Sequence, residues 1–260
     1  MIAPAPRRKV AWAVCGCLGG VLLLGAVLAV SECDRKIAAH FQRVSHQKAR
    51  TAEDAITPIS KDPERHAQFL ERAKQGEIDL VFLGDSITDR WPRVGEGSWQ
   101  KLAPYKPANF GIEGDRTEHL LWRLEQGELD AISPKVVVVL VGTNNVFYFP
   151  DEKPEWTVRG IERVVALIRK RVPESKVLLF GIFPRDEKNG RVRRTIAAIN
   201  HELKRLDDGA HIRFADIGAE FLDGDGNISP DIMPDQVHLS AKGYDLWYRS
   251  LESILPAMLK

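Results

Sequence analysis

Residues 136–141 read VVVVLV, an unbroken apolar run in which every side chain but one is β-branched. A run without polar alternation is typical of a strand that is buried on both faces, as strands of a parallel sheet are. Shorter segments of similar character occur at 79–83, 108–110, 176–180 and 212–215. The sequence therefore predicts five strands in one buried parallel sheet.

Helical patterns separate these strands. They occur at 117–125, 156–172 and 192–206, and Ser240 is placed to cap a last helix that ends near residue 255. Asp62-Pro63 indicates another helix before the first strand, because an acidic cap followed by proline is typical of a helix start. Alternating strands and helices predict an α/β fold with three layers, α/β/α.

The composition fits one folded domain with an appendage. The chain has 260 residues, 44% of them hydrophobic, and its 37 basic residues are nearly balanced by 36 acidic ones. This balance gives no electrostatic basis for binding nucleic acid, so we expect no such partner. The only cysteines, Cys15, Cys17 and Cys33, lie near the N-terminus, so we expect no disulfide and no thiolate metal site in the rest of the chain.

The N-terminus has the pattern of a membrane segment. Residues 1–9 are basic and residues 10–30 carry no charge, while about 20 apolar residues are enough to cross a bilayer. We expect residues 10–30 to form a signal-anchor, a transmembrane helix with the basic region in the cytoplasm. The alternative is a signal peptide that is cleaved near Ala29 and leaves a secreted protein.

The chain is therefore expected to comprise a basic region at 1–9, the signal-anchor at 10–30, a polar stalk at 31–60 and a domain at 61–260. With the basic end inside, the domain is expected to be membrane-anchored and extracytoplasmic, which means periplasmic in a bacterium.

Small polar segments follow the first three predicted strands. They are Gly84-Asp85-Ser86, Gly111-Ile112-Glu113-Gly114-Asp115 and Gly142-Thr143-Asn144-Asn145. Ligands bind at the carboxyl ends of the strands in open parallel sheets, so these segments lie where chemistry is expected.

Ser86 is the candidate nucleophile, and Asp235 with His238 is the candidate base pair. A lone Gly-Asp-Ser is more often a helix cap than an active site. A histidine three residues after an aspartate, however, can be oriented by it within one turn and can then take a proton from a serine. The alternative is a surface turn with a capping aspartate and an exposed histidine.

Gly114 and Asn144 are candidates for stabilising an oxyanion. A glycine lets a substrate carbonyl approach the backbone N–H, and an asparagine supplies a side-chain amide. Either residue could instead be a turn former that follows a strand.

Together these segments resemble, in order, the four catalytic blocks of the SGNH (GDSL) hydrolases. The resemblance covers roughly residues 61–258. Further segments are similar to the catalytic subunits (beta/gamma) of platelet-activating-factor acetylhydrolase IB, namely Asn109-Phe110-Gly111, Leu121-Trp122-Arg123-Leu124 and Phe183-Pro184-Arg185.

The resemblance implies a flavodoxin-like sheet and ester hydrolysis by a Ser86-His238-Asp235 triad, with no metal and no cofactor. It also implies an oxyanion hole made by the N–H groups of Ser86 and Gly114 and the side chain of Asn144. Relatives suggest a homodimer, and the substrate is expected to be a small-molecule, glycan or lipid ester.

Two positions depart from the family pattern. Glu113 stands where a small residue is usual, and we expect its carboxylate to point away from the oxyanion. The loop at 146–150 is aromatic where relatives are more polar, and it either lines a pocket or packs as a loop. The candidates for the substrate pocket are Asp85, Asn145, Phe147 and Arg185.

The expected activity is that of a carboxylic-ester hydrolase that acts on short acyl groups such as acetyl. The alternatives are an acyltransferase that uses the same residues and a non-catalytic binding protein that kept the fold. A calcium loop beginning at Asp223 is excluded, because Ile228 and Pro234 occupy positions where that pattern needs glycine and glutamate.

Overall fold

A computed structural model describes residues 49–259 of the chain. The predicted signal-anchor at 10–30, the basic region at 1–9 and most of the predicted stalk fall outside the described residues. Within the part described, no helix combines the length and apolar character that crossing a bilayer requires.

Five parallel strands form one sheet, as the sequence predicts. The strands are β1 (Leu80–Gly84), β2 (Pro107–Gly111), β3 (Val136–Leu140), β4 (Lys176–Phe180) and β5 (Ile212–Ala215). Their order across the sheet is β2-β1-β3-β4-β5, and every neighbouring pair is parallel. Strand β1 therefore lies between β2 and β3, and the loops that follow these three strands share one edge of the sheet.

Helices precede the first strand, connect the strands and follow the last one. In chain order they are α1 (Pro63–Lys74), α2 (Ser86–Asp89), α3 (Trp91–Val94), α4 (Glu96–Gln100), α5 (Thr117–Glu125), α6 (Thr143–Tyr148), α7 (Pro154–Arg171), α8 (Arg191–Leu203) and α9 (Ala241–Met258). The helix predicted from Asp62-Pro63 is present as α1, and the Asp62 side chain accepts a hydrogen bond from the N–H of Arg65 at 3.0 Å.

Helices cover both faces of the sheet, which gives the three predicted layers. Alternate strand residues point to opposite faces. Val81 and Leu83 belong to a core formed with α1, α5, α7 and α8. Phe82 belongs to the opposite core with α3 and α9, where the rings of Trp91 and Trp247 stack with centroids 4.2 Å apart. The sheet is thus buried on both sides and holds its carboxyl edge rigidly.

The residues just before α1 also contact the domain. The compact unit begins at Arg50. The Arg50 side chain is buried and donates hydrogen bonds to both carboxylate oxygens of Glu118, at 3.0 and 3.2 Å, and a further one to Glu152. Its guanidinium lies 4.1 Å above the ring of Phe149. Part of the predicted stalk, from residue 50 onward, therefore packs against the helices that flank the sheet.

Candidate active site

Ser86 is the first residue of α2, directly after strand β1. The turn from strand to helix is tight: a Cβ on Gly84 would lie 2.3 Å from Thr88 Oγ1 and 2.4 Å from the carbonyl oxygen of Leu140, so only glycine fits there. Asp85 caps the short helix, and its Oδ1 accepts a hydrogen bond from the N–H of Ile87 at 3.0 Å. The Ser86 side chain is thereby held at the carboxyl edge of the sheet.

Asp235 and His238 lie in a turn just before α9. Gln236, between them, has φ of 61°, a left-handed conformation that tightens the turn. Asp235 Oδ1 accepts hydrogen bonds from the backbone N–H groups of His238 at 2.7 Å and of Val237 at 3.1 Å. The carboxylate of Asp235 thus fixes the backbone of the turn.

Asp235, His238 and Ser86 form a hydrogen-bonded chain. Asp235 Oδ2 lies 2.6 Å from His238 Nδ1, and His238 Nε2 lies 2.9 Å from Ser86 Oγ. A carboxylate can only accept, so Nδ1 carries the proton and Nε2 is left to accept from the serine hydroxyl. This tautomer is the one a general base requires.

The Asp235 carboxyl is stabilised in its charged form. Partial burial raises its pKa, but the hydrogen bonds from the side chain and backbone N–H of His238 outweigh that effect, and the net pKa is lowered. The group next to His238 is therefore an ionised carboxylate at neutral pH.

Gly114 lies in the turn that follows β2. Its φ is +74°, which a residue with a Cβ adopts only at a cost, and the turn is closed by a hydrogen bond of 3.1 Å from the N–H of Asp115 to the carbonyl of Ile112. The Gly114 N–H belongs to the loop after β2, the strand next to β1, which Ser86 follows.

Asn144 lies on the other side, in the first turn of α6 after β3. One N–H of its amide donates to the carbonyl oxygen of Asp115 at 2.9 Å, and the side chain keeps a small exposed area. An amide nitrogen has two N–H groups, so the second remains for another acceptor. The hydrogen bond to Asp115 ties the loops after β2 and β3 together, across the end of β1.

The four pocket candidates separate into two groups. Phe147 is 45% exposed, and the guanidinium of Arg185 lies 4.0 Å above its ring. Asp85 and Asn145 are fully buried. Asn145 accepts from the N–H of Thr117 at 3.1 Å and donates to Thr117 Oγ1 and Glu118 Oε2, both at 3.0 Å, so its polar atoms are used inside the domain.

Phe147 and Asn144 lie on the same side of α6, because residues three apart on a helix are neighbours. The next residue, Tyr148, is also exposed, and its ring meets that of Phe147 edge to face at a centroid distance of 5.3 Å. Arg185 Nη1 also lies 3.3 Å from Thr143 Oγ1, next to Asn144 in sequence, so Phe147 and Arg185 pack together at the helix that carries Asn144.

The carboxylate of Glu113 is mostly exposed and forms an ion pair with Arg90. The loop that carries it is supported by buried charges that the sequence does not indicate. Arg123 is fully buried, with Nε 3.0 Å and Nη2 2.9 Å from Asp115 Oδ2, and it also contacts Glu128. Arg123 has the helical spacing of an ordinary surface residue, so only the folded arrangement reveals its partners.

Asp223, the first residue of the excluded calcium loop, closes a turn. Its Oδ1 accepts from the N–H groups of Asp225 at 2.9 Å and of Asn227 at 2.8 Å. Among residues 49–259, no cluster of three or more His, Cys, Asp or Glu side chains is arranged to hold a metal ion.

Residues 82–246, more than half of the chain, match the model of the GDSL-like lipase/acylhydrolase family. The chain belongs to this family. As a GDSL-family acylhydrolase, it is a carboxylic-ester hydrolase.

Named relatives agree with this membership. The GDSL domain is 38% identical over 198 residues to platelet-activating factor acetylhydrolase IB subunit alpha2 of Rattus norvegicus, a match that covers 75% of this chain and 84% of the relative. It is 39% identical over 197 residues to subunit alpha1 of the human protein, over 75% of this chain and 82% of the relative. The resemblance to this branch is confirmed, although the matching subunits are called alpha1 and alpha2 where the sequence analysis named beta and gamma.

A solved GDSL-like lipase from Bacteroides thetaiotaomicron VPI-5482 has the same fold. It superposes with a TM-score of 0.61 at 20% identity and covers 74% of this chain and 97% of its own. At 20% identity this match shows the fold of the GDSL domain and nothing about its substrate.

Proposed function

We propose that the chain hydrolyses small acyl esters, acetyl esters above all, through a covalent acyl-enzyme on Ser86. The observation that carries the proposal is the hydrogen-bonded chain from Ser86 through His238 to Asp235. A serine joined to a histidine that a carboxylate orients is the arrangement used for nucleophilic acyl transfer.

In the acylation step, His238 Nε2 takes the hydroxyl proton as Ser86 Oγ bonds to the carbonyl carbon of the ester. The carbonyl π electrons move to oxygen and form an oxyanion. The N–H groups of Ser86 and Gly114 and the amide of Asn144 are the donors assigned to this oxygen. When the carbonyl re-forms, the bond to the alcohol oxygen breaks and His238 gives its proton to the departing alcohol.

In the deacylation step, a water molecule takes the place of the alcohol. His238 removes a proton from the water as its oxygen attacks the acyl carbon. Collapse of the second oxyanion breaks the bond to Ser86 Oγ, which takes the proton back from His238, and the carboxylic acid leaves. Asp235 stays ionised throughout and stabilises the imidazolium.

Two features favour a short acyl group. Ser86 has only 4% of its surface exposed, and Phe147 packs with Arg185 on the helix that carries Asn144, which supports the proposal of a small acyl group. The two named relatives, at 38% and 39% identity, are called acetylhydrolase subunits. Arg185 and Phe147 are the side chains we assign to contact with the remainder of the substrate.

We also propose that the enzyme works on the outer side of a membrane, tethered by residues 10–30. The support is the uncharged run that follows a basic N-terminus. The untreated chain should be recovered in the membrane fraction, and protease added to intact cells or spheroplasts should digest the domain. A domain protected from protease, or recovered without residues 1–30, would overturn the tether.

The test of the activity uses the full chain in detergent with p-nitrophenyl acetate, butyrate and octanoate. We expect turnover to fall from acetate to octanoate, and S86A to lose about 10⁴-fold or more in kcat. The matched control is Ser253→Ala, which removes an exposed hydroxyl in α9 and should change nothing. Labelling with a fluorophosphonate, followed by peptide mapping, should modify Ser86.

Two outcomes would overturn the proposal. Equal turnover by wild type and S86A excludes Ser86 as nucleophile, and a fluorophosphonate on another serine does the same. If added alcohols take up the acyl group faster than water releases it as acid, the chain is an acyltransferase and not a hydrolase.

A further inference from the structure

Lys61 lies on the short segment before α1, and its side chain reaches the loop after β2. The ammonium donates a hydrogen bond to the backbone carbonyl of Glu113 and lies 3.4 Å from Asp115 Oδ1. It is also 3.2 Å from the place that a Cβ on Gly114 would occupy. One partly buried lysine therefore contacts three consecutive residues of the loop that holds an assigned oxyanion donor.

The contact with Glu113 acts on the donor itself. The carbonyl of Glu113 and the N–H of Gly114 belong to the same peptide group, which is planar. A hydrogen bond to the carbonyl oxygen fixes the orientation of the whole group and so the direction of the N–H. A positive charge at the oxygen also draws electrons from the nitrogen through the resonance of the peptide group, which makes the N–H a stronger donor.

The contact with Asp115 acts on the second donor. The backbone carbonyl of Asp115 accepts the hydrogen bond from Asn144 Nδ2 at 2.9 Å, so the position of Asp115 sets that of the Asn144 amide. Arg123 already supplies a charge partner for Asp115 at 2.9 Å. The Asp115 carboxylate is thus held from both sides, by Arg123 at Oδ2 and by Lys61 at Oδ1, and this geometry fits a role for Lys61 in fixing the loop.

We propose that Lys61 is a positioning residue for the oxyanion hole, which aligns the Gly114 N–H through Glu113 and the Asn144 amide through Asp115. The inference rests on the proposed function, since it assigns Lys61 to the donors of that reaction. Lys61 touches the peptide behind the oxyanion and not the substrate, so its removal weakens the transition state more than it weakens substrate binding.

The test compares K61M, K61R and wild type with p-nitrophenyl acetate. Loss of one oxyanion donor typically lowers turnover by about 10²–10³-fold, so misalignment in K61M should lower kcat by about 10–100-fold, with KM changed less than about threefold. K61R keeps a donor with positive charge and should recover most of kcat. The matched control is Lys74→Met, which removes an exposed lysine that pairs with Glu71 on α1.

A double variant separates positioning from general damage to the fold. If Lys61 acts through the donors, K61M should cost much less in an N144A background than in wild type, because part of what it aligns is already gone. Circular dichroism with urea unfolding shows whether K61M is folded. If it is not, the comparison of K61R with the shorter, uncharged Lys61→Gln decides the question.

Failure of this inference is distinct from failure of the proposed function. If wild type is active and S86A is inactive, but K61M behaves like K74M, Lys61 has no positioning role. A rise in KM with kcat unchanged would also overturn it, because that is the signature of a substrate contact. If wild type and S86A are equally slow, the proposed function itself is wrong.

Discussion

The carboxylate of Asp235 holds His238 at two points, with Oδ2 2.6 Å from the ring Nδ1 and Oδ1 2.7 Å from the backbone N–H. One oxygen orients the imidazole, and the other fixes the turn that carries it. The two functions can be separated by mutation, because an amide preserves one acceptor oxygen and replaces the other with a donor.

D235N should therefore fold normally and lose about 10²–10⁴-fold in kcat. Its oxygen can still accept from the backbone of His238, while its NH₂ group donates to Nδ1 and drives the ring proton to Nε2. A protonated Nε2 cannot accept from Ser86. The measurement is p-nitrophenyl acetate turnover together with urea unfolding.

The matched control is Asp231→Asn, an exposed carboxylate in the same C-terminal loop that lies 3.7 Å from Lys242. It should leave turnover unchanged. Full activity in D235N would show that the carboxylate does not set the tautomer of His238.

Asn144 and Asn145 are adjacent in sequence and differ in their expected roles. N144A removes a single hydrogen bond inside the protein and an assigned oxyanion donor, so kcat should fall about 10²–10³-fold while the free energy of unfolding changes by about 1 kcal/mol. N145A removes three hydrogen bonds in a fully buried site, so it should lower the free energy of unfolding by about 2–3 kcal/mol.

Turnover and urea unfolding on both variants check this contrast, and each variant is the control for the other. The assignment of Asn144 is wrong if N144A keeps its kcat, or if its activity loss is matched by an equal loss in N145A with no difference in stability.

The strands, and the shared edge on which the segments of Ser86, Gly114 and Asn144 lie, could be predicted from the sequence because parallel strands place their carboxyl ends on one edge. If β1, β2 and β3 are neighbours, the three polar segments that follow them lie side by side at that edge. The proximity of Asp235 and His238 in sequence was enough to predict their contact. Local spacing and one topological rule account for these successes.

What the sequence did not indicate depends on side-chain direction and on packing between distant elements. Asn145 was placed with Asn144, but successive residues on a helix point about 100° apart, and Asn145 faces the buried Glu118. Lys61 lay at the predicted border between stalk and domain, where nothing marked it as a partner of Glu113. Arg123 was named only as part of the Leu121-Trp122-Arg123-Leu124 segment, and its burial between Asp115 and Glu128 depends on the fold.

Phe147 and Tyr148 provide a test of the substrate pocket. Phe147 stacks under Arg185 on the helix that carries Asn144, whereas Tyr148 contacts the edge of the Phe147 ring. F147A should raise KM several-fold for esters with a bulky alcohol while the free energy of unfolding stays within about 0.5 kcal/mol, since the ring is 45% exposed.

Tyr148→Ala is the matched control. Tyr148 is 53% exposed, and this substitution removes a ring of similar size. It should leave KM unchanged for the same substrates. Equal effects of the two variants would indicate that the aromatic loop has no specific contact with substrate.

Asp85 gives a prediction for stability against pH. Its side chain is fully buried, and Oδ2 has no hydrogen-bond partner among the described residues. Burial raises its pKa from 3.8 to about 7, against the opposing effect of the hydrogen bond from Ile87. Between these two pH values the folded chain holds a proton that the unfolded chain releases, so this contribution to stability is full below about pH 4 and is lost as the pH rises through 7.

D85N has no titrating group at this position and keeps an oxygen that can accept from Ile87. Relative to wild type, its free energy of unfolding should therefore improve by about 2–3 kcal/mol between pH 5 and pH 8. Urea unfolding of both proteins at the two pH values measures the difference. Glu71→Gln, which alters an exposed carboxylate on α1, should follow wild type at both. If instead the difference in free energy of unfolding between D85N and wild type is the same at pH 5 and pH 8, Asp85 is ionised across this whole range. Its buried charge then has a partner beyond Ile87.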